Sequence, residues 1–564
     1  MFQNRHKILE NKAFILLLIF AIALIIKIIF RVDYLEDYDA IDFAFGLKDY
    51  DLSQYKPHFP GYPIYIFFGR ALFKIIKDET LSLITLNIIF GSFCAVMVYM
   101  IAEELFNKAT AFLSSALFIV NPTISILSDS VNSDICALFF LLLFLYFIVL
   151  SEKYAVKRVK YIFFASFSFG IMLGVRVSYA PFLFLWLAYS KFFALFKLRD
   201  YKELKLDDNT FISAAAGLLI GIILWLVPLL SVVGISNYYY EGLKFISGHF
   251  NGWGGTVVTN SSILTRLHAL FWQLFVNGFG IYYYDTSLLR LLPTLFFAGA
   301  FFYLLKNLWS GFSKGYSKIF ALYVLPYLLW AFFAQNLEKS RHIIPLIPIL
   351  IIYCSYSILN LKNSAQLLNC SPPLRGGGEG EGESCNNINM SPLAPTLSHE
   401  GRGRFFLVVQ RSFLKLFDNV KSSAIKYGYA ILAVVALFSL IDTVTLLGEH
   451  KKNPPPPYSV MKYLSNLPNG SNSILFCGET ERFFAYYNPQ YLVKRLKTAK
   501  EVLDDLDGSI NEPENIFVTS LVKGVEALDV KEVATFSRSR YIYNPFNKVT
   551  LYKLNRKSVN LLEF

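Results

Sequence analysis

The sequence predicts an all-α polytopic membrane protein with a small α/β domain at its C-terminal end, on three observations. Hydrophobic residues make up 55% of the 564 and charged residues only 17%, too few charges to cover a soluble body of this size. Apolar runs close to the roughly 20 residues that a bilayer-crossing helix needs recur as far as residue 446. Beyond the proline-rich stretch 451–459 the pattern changes to short strand-like runs alternating with helical ones.

Taken in order, the first apolar run, 13–30, follows Arg5, Lys7 and Lys12 and lacks a small-x-small cleavage site, so it reads as a first membrane helix with a cytoplasmic N-terminus. Further spans are predicted near 81–101, 110–127, 135–150, 161–175, 179–196, 211–234, 287–306, 319–335, 342–360 and 427–446, about eleven in all. The runs 61–77 and 264–281 are broken by Gly, Pro or charge and read as interfacial or re-entrant helices. With those two set aside, the Lys/Arg-rich loops 151–160, 191–206, 306–318 and 361–426 all fall on the cytoplasmic side. The loops 31–60, 128–134, 235–286 and 336–341 then face outward. Within 361–426 the stretch 371–404 is rich in Gly, Pro, Ser and Glu and cannot bury a core, which predicts a disordered insertion.

The segment 451–459, KKNPPPPYS, reads as a stiff polyproline spacer leading to a small extracytoplasmic domain, 451–564. Strand-like runs there are Ser473–Phe476, 515–522 and 549–554. The net charge of +12 resides mainly in short loops between apolar runs, a positive-inside pattern that argues against nucleic-acid binding. The six cysteines form no C-x-x-C pair and no disulfide framework, and read as small apolar residues.

The chemistry concentrates in the first outer loop. Asp33, Glu36, Asp37, Asp39, Asp42, Asp49 and Asp51 crowd one short stretch, which by itself is as consistent with a solvated loop as with a site. Within it, Asp39-Ala-Ile-Asp42-Phe43-Ala44 is amphipathic, so its apolar residues can dock at the interface while a carboxylate faces the membrane boundary. The turn Pro57-His58-Phe59-Pro60-Gly61-Tyr62-Pro63 returns the chain to the bilayer.

These segments resemble the GT-C membrane glycosyltransferases, and within them the protein mannosyltransferase and aminoarabinose transferase group (glycosyltransferase family 39 and its bacterial kin). The residues that carry the resemblance are the acidic motif at Asp39–Ala44, the Pro57–Pro63 turn, Asn121-Pro122, Ser133-Asp134, Gly174-Val175-Arg176-Val177-Ser178, and Arg341-His342-Ile343-Ile344-Pro345-Leu346-Ile347-Pro348. They span roughly residues 10–360 of the chain. Phe59-Pro60 stands where the family has a Pro-Pro pair, and the acidic pair is not the adjacent Asp-Glu of some members.

The resemblance implies a GT-C-like catalytic region over 1–360 of a multi-pass inner-membrane protein. It implies a glycosyltransferase that moves a hexosyl or pentosyl group from a polyprenyl-phosphate donor to a glycan, lipid or protein acceptor on the outer face. It makes Asp39 the general base or a metal-linked carboxylate, with Asp42 and Asp37 as the other catalytic candidates. Substrate-binding candidates are His58, Tyr62, Asp134, Arg176, Arg341 and His342. A divalent metal ion is left open, with Asp39 and His58 as the residues that would hold it. The other partners expected are membrane lipids, with no nucleic acid.

Each candidate has a plainer alternative. Arg341 can hold a lipid phosphate through its planar fork or simply snorkel at the interface. Arg176 can bind phosphate or pair with a loop carboxylate, and His58 can be a hydrogen-bonded turn residue. Asp134 can be the N-cap of the helix that starts there. The alternative function is a transporter or lipid flippase, which would place ionisable groups near the bilayer midplane and show internal repeats; neither is visible here.

Overall fold

The structure, a computed structural model, describes residues 2–190, 208–259, 262–280, 288–310, 314–359, 424–467, 473–478, 480–487, 490–507, 515–538 and 547–555. The low-complexity stretch 371–404, the loop 191–206 and most of the loop 361–426 lie outside them.

The chain divides into two compact units. The first holds Met1–Leu359 and Phe438–Phe564. The second, Asn360–Leu437, is described only over 424–437, where it is helical.

The first unit opens with α1 (Phe2–Phe30), the short α2 (Tyr38–Lys48), α3 (Pro63–Ile76) and α4 (Glu79–Leu105). Next come α5 (Lys108–Ile119), α6 (Pro122–Asp129), α7 (Asp134–Lys153), α8 (Arg158–Val175) and α9 (Leu183–Tyr189). They are followed by α10 (Asp208–Val233), α11 (Ile235–Gly248), α12 (Ile263–Phe271), α13 (Leu291–Ser310), α14 (Lys314–Ala334) and α15 (Leu346–Leu359).

Six helices among the described residues are long and apolar enough to cross a membrane: α1, α4, the stretch Ala155–Val175 that includes α8, and α7, α10 and α14. At 27 residues, α4 is about 40 Å long, enough for the whole bilayer. Helices α4 and α7 are largely buried, whereas α1 turns Phe14, Leu17, Leu18, Ile22, Ile25, Ile28 and Ile29 outward. A helix apolar on every side, with half of it facing out, is at home against lipid rather than water.

The single span expected over 110–127 is instead two helices, α5 and α6, bent by 58° at Asn121-Pro122. Pro122 cannot continue α5 but suits the first position of α6, and the Asn121 side chain caps the new helix by accepting from the Ile124 N–H at 3.0 Å. Where 179–196 was expected to be one helix, a 3-10 turn (Val177–Phe182) precedes α9, again around a proline, Pro181. Helices α8 and α10 touch backbone to backbone at Gly170 and Gly221, where a Cβ on either residue would come within 3.0 Å of the other helix.

Helix α16 (Ala424–Lys452) contains the run 427–446 and leads to α17 (Pro456–Ser465). The proline run is therefore hardly a spacer: Pro456 and Pro457 are the first residues of α17, where a missing N–H costs nothing. Then follow β1 (Ser473–Phe476), α18 (Glu481–Tyr487), β2 (Leu492–Lys494), α19 (Ala499–Asp507), β3 (Asn515–Thr519), β4 (Val530–Ser537) and β5 (Lys548–Leu554).

The five strands form one sheet in the order β2-β1-β3-β5-β4, with β2, β1 and β3 parallel and β3, β5 and β4 antiparallel. Alternation sorts the strand residues between two cores. Ile474, Phe476, Ile516 and Val518 pack with Val502 of α19, while Leu475, Phe517, Val549 and Leu551 join Val460, Met461 and Leu464 of α17 and the main core of the membrane helices. The expected strands are present at their places; β2 and β4, partly exposed and short or polar in pattern, were not foreseen.

Candidate active site

The loop after α1 turns at once into α2, because Asp37 caps that helix by accepting from the Ala40 N–H at 3.0 Å. Asp39 and Asp42, three residues apart, then lie on neighbouring positions of its first turns. Ala40, Ile41, Phe43 and Ala44 are buried within the protein, and so is Asp42.

The returning turn is fixed by Gly61, whose φ of +94° only glycine adopts without strain; a Cβ there would lie 2.3 Å from the Tyr50 hydroxyl. That hydroxyl donates to the Gly61 carbonyl at 2.8 Å. Tyr62 follows in the left-handed region, φ +48°, and starts α3 with its ring against Phe43 and His58.

Arg341, on the 3-10 turn Ser340–Ile343 ahead of α15, reaches both acids of α2's first turn. It pairs with Asp39 through one terminal nitrogen and lies 3.5 Å from Asp37 through the other. Burial raises the Asp39 carboxyl, but Arg341, His58 and Lys339 outweigh it and hold that carboxyl well below the usual range. Asp37 moves the other way, raised by burial and by the negative charge of Asp39. The two therefore differ sharply although both face one guanidinium. The Arg341 Nε is buried with no hydrogen-bond partner among the described residues, so one donor of the fork is unspent.

Behind Asp39 lies a second chain of contacts. His58 Nδ1 is 3.1 Å from Asp42 Oδ2, its Nε2 is 2.9 Å from the Tyr62 hydroxyl, and the same Nε2 faces Asp39 Oδ1 at 3.9 Å. With Nδ1 donating to Asp42, Nε2 accepts from Tyr62. Asp42 is 2% exposed, and its other oxygen is held by Arg482, from α18 of the C-terminal region. Burial pushes the Asp42 carboxyl up against the pull of His58 and Arg482.

A third pair, Asp134 and Arg176, stands beside these, with Arg176 Nε 3.0 Å from Asp134 Oδ1 and its NH1 donating to Ser133 Oγ at 3.0 Å. The N-cap duty considered for Asp134 falls to Asn132, whose side-chain oxygen accepts from the N–H groups of Asp134 and Ile135. Tyr62 sits between the pairs, within electrostatic reach of Arg176, Asp39, Arg341 and Asp134. His342, in contrast, turns its Nδ1 to the Asn336 carbonyl at 2.7 Å and is paired with none of these acids among the described residues. Eight of the nine candidates thus form one cluster, and His342 supports the turn that carries Arg341.

Two participants escaped the sequence. Lys339 is drawn in by its place two residues before Arg341, which with burial pushes its ammonium down. Arg482 stands 440 residues from Asp42, and no local pattern marks it. Among the described residues no three His, Cys, Asp or Glu side chains converge as a metal cage would require. Asp39, one of the two residues with which a metal was left open, is paired with Arg341.

Comparison with known proteins bears on the fold. The sequence model of the dolichyl-phosphate-mannose-protein mannosyltransferase family matches residues 56–228. None of the curated proteins matches the sequence. Among solved structures the chain is similar to ArnT from Cupriavidus metallidurans in the apo state, at 12% identity and a TM-score of 0.56, covering 95% of this chain and 97% of that one. The same protein bound to undecaprenyl phosphate aligns with a TM-score of 0.55, 12% identity and the same coverage. Over nearly its whole length the chain thus has a fold similar to that of ArnT.

Proposed function

We propose that this membrane protein of GT-C fold transfers a sugar from a polyprenyl-phosphate donor to an acceptor hydroxyl on the extracytoplasmic face. The observation that carries the proposal is the meeting of Arg341 with Asp37 and Asp39, which brings a carboxylate and a phosphate-binding fork to one place. The family match over 56–228 and the undecaprenyl phosphate bound by the ArnT neighbour support a lipid-phosphate sugar as donor.

In the reaction, the acceptor oxygen bonds to the anomeric carbon as the bond from that carbon to the phosphate oxygen breaks. Asp39, held ionised by Arg341, takes the proton of the acceptor hydroxyl. The leaving phosphate carries the negative charge toward Arg341, whose Nε has no partner among the described residues, with Arg176 and Lys339 adding positive potential. His58, oriented by Asp42, keeps the Tyr62 hydroxyl and Asp39 in register. An inverting displacement of this kind needs one carboxylate, which Asp39 provides.

The test is transfer from a panel of labelled polyprenyl-phosphate sugars in vesicles. Asp39→Asn is expected to lose about 10²–10⁴-fold in kcat while keeping its fold and donor binding. If wild-type protein consumes none of the panel under conditions where a related transferase works, the proposal fails.

A further inference from the structure

The segment Leu35–Asp42 carries the acids just described, and the C-terminal region grips it at both ends. At the first end, the Leu35 N–H donates to the Tyr487 hydroxyl at 2.7 Å. Beside it the Glu36 carboxylate meets Arg538, at the end of β4, with one oxygen and His450 Nε2 at 2.9 Å with the other. Arg538 is completely buried and also donates to the Tyr34 hydroxyl at 3.0 Å. At the far end, Arg482 holds Asp42 and lies over the Tyr55 ring, 4.5 Å from its centroid.

These contacts reach the reacting groups. Helix α2 has 11 residues, too few to be stable alone, so tertiary contacts set where its first turn stands. Asp42, cut off from water, has one oxygen on His58 and one on Arg482. Without Arg482 that second oxygen is unpaired, and the His58 ring loses its fixed partner. His58 is in turn the group that faces Tyr62 and Asp39.

We infer that the C-terminal domain is a working part of the site: Arg482, acting through Asp42 and His58, and Arg538, acting through Glu36, position the acidic first turn of α2 for sugar transfer. Both are positioning residues that act through others. The inference rests on the proposed function, yet part of its test does not.

Arg482 is 39% exposed, so the full-length protein should tolerate its replacement. In Arg482→Gln the expected result is a kcat lower by about tenfold or more, with the KM for the lipid donor within about twofold of wild type. Arg482→Lys, which keeps the charge, is expected to recover a large part of that loss. Tyr487→Phe removes only the hydroxyl that accepts from Leu35 and is expected to act in the same direction, more weakly. Hydrogen exchange on the same proteins in nanodiscs gives a readout independent of activity. In Arg482→Gln, amides of 35–48 should exchange faster while those of β1 and β3 stay protected. A wild-type kcat in Arg482→Gln, or exchange over 35–48 no faster than in wild type, overturns the inference. A wild-type protein that transfers no sugar sinks the proposed function instead, and the exchange result then decides the positioning claim alone.

Discussion

Arg341 shows how one side chain can set the chemistry of two others. Its fork lies between Asp37 and Asp39 and holds Asp39 well below the usual range, while burial and the charge of Asp39 raise Asp37 against its pull, so one acid is kept ionised while its neighbour is the easier to protonate. A lysine at this position would bring the charge but not the fork. Arg341→Lys is therefore expected to lose about 1–3 kcal/mol of transition-state stabilisation, read as roughly a 10–100-fold fall in kcat/KM for the lipid donor. Steady-state kinetics in vesicles check this, and a wild-type kcat/KM would mean that Arg341 acts only as a point charge.

At the scale of elements, two local features shape the chain: the 57–63 turn that carries His58 and Tyr62, and the 58° bend at Asn121-Pro122. Gly61 allows the first, and the Tyr50 hydroxyl leaves no room for any side chain there. Gly61→Ala should destabilise the protein by about 1–3 kcal/mol, through the positive φ and the overlap together, visible as a lower Tm in detergent. At the second bend Asn121 caps α6 and also donates to the Gly278 carbonyl at 2.6 Å, tying α6 to the segment after α12. Asn121→Ala removes both bonds and should cost about 1–2 kcal/mol. Denaturation midpoints of the two variants, compared with wild type, test these elements separately.

At the scale of the whole molecule, a buried ionic cluster joins the sheet, the last long helix and the first loop. Burial alone would raise the Glu36 carboxyl, but Arg538 and His450 outweigh it and bring it down to about 2. A depressed carboxyl contributes stability above its unfolded value of 4.5 and loses that stability as pH falls through the folded value. Acidification from about pH 4.5 to 2 should therefore cost roughly 3 kcal/mol from this group, seen as a falling Tm. Glu36→Gln is expected to be less stable at neutral pH, since it leaves Arg538 buried without its counter-charge, and to show a flatter dependence below pH 4.5.

The sequence by itself determined the membrane-helical class, the small C-terminal sheet region and which residues stand as candidates for a site. Those features are local: apolar runs of bilayer length, an acidic amphipathic segment, a proline-glycine turn and short motifs that keep their spacing wherever the chain goes. It could not tell that 110–127 bends into two helices, because hydropathy is blind to the angle a proline imposes. Nor could it tell a capping Asp134 from a paired one, since that choice is made by Arg176 from another helix. Only the tertiary structure decided which charges meet. Asp39 and Arg341 are 302 residues apart, and Asp42 and Arg482 are 440 apart. The physical reason is that an ion pair is a property of distance in space, and tertiary packing of helices, turns and sheet sets that distance.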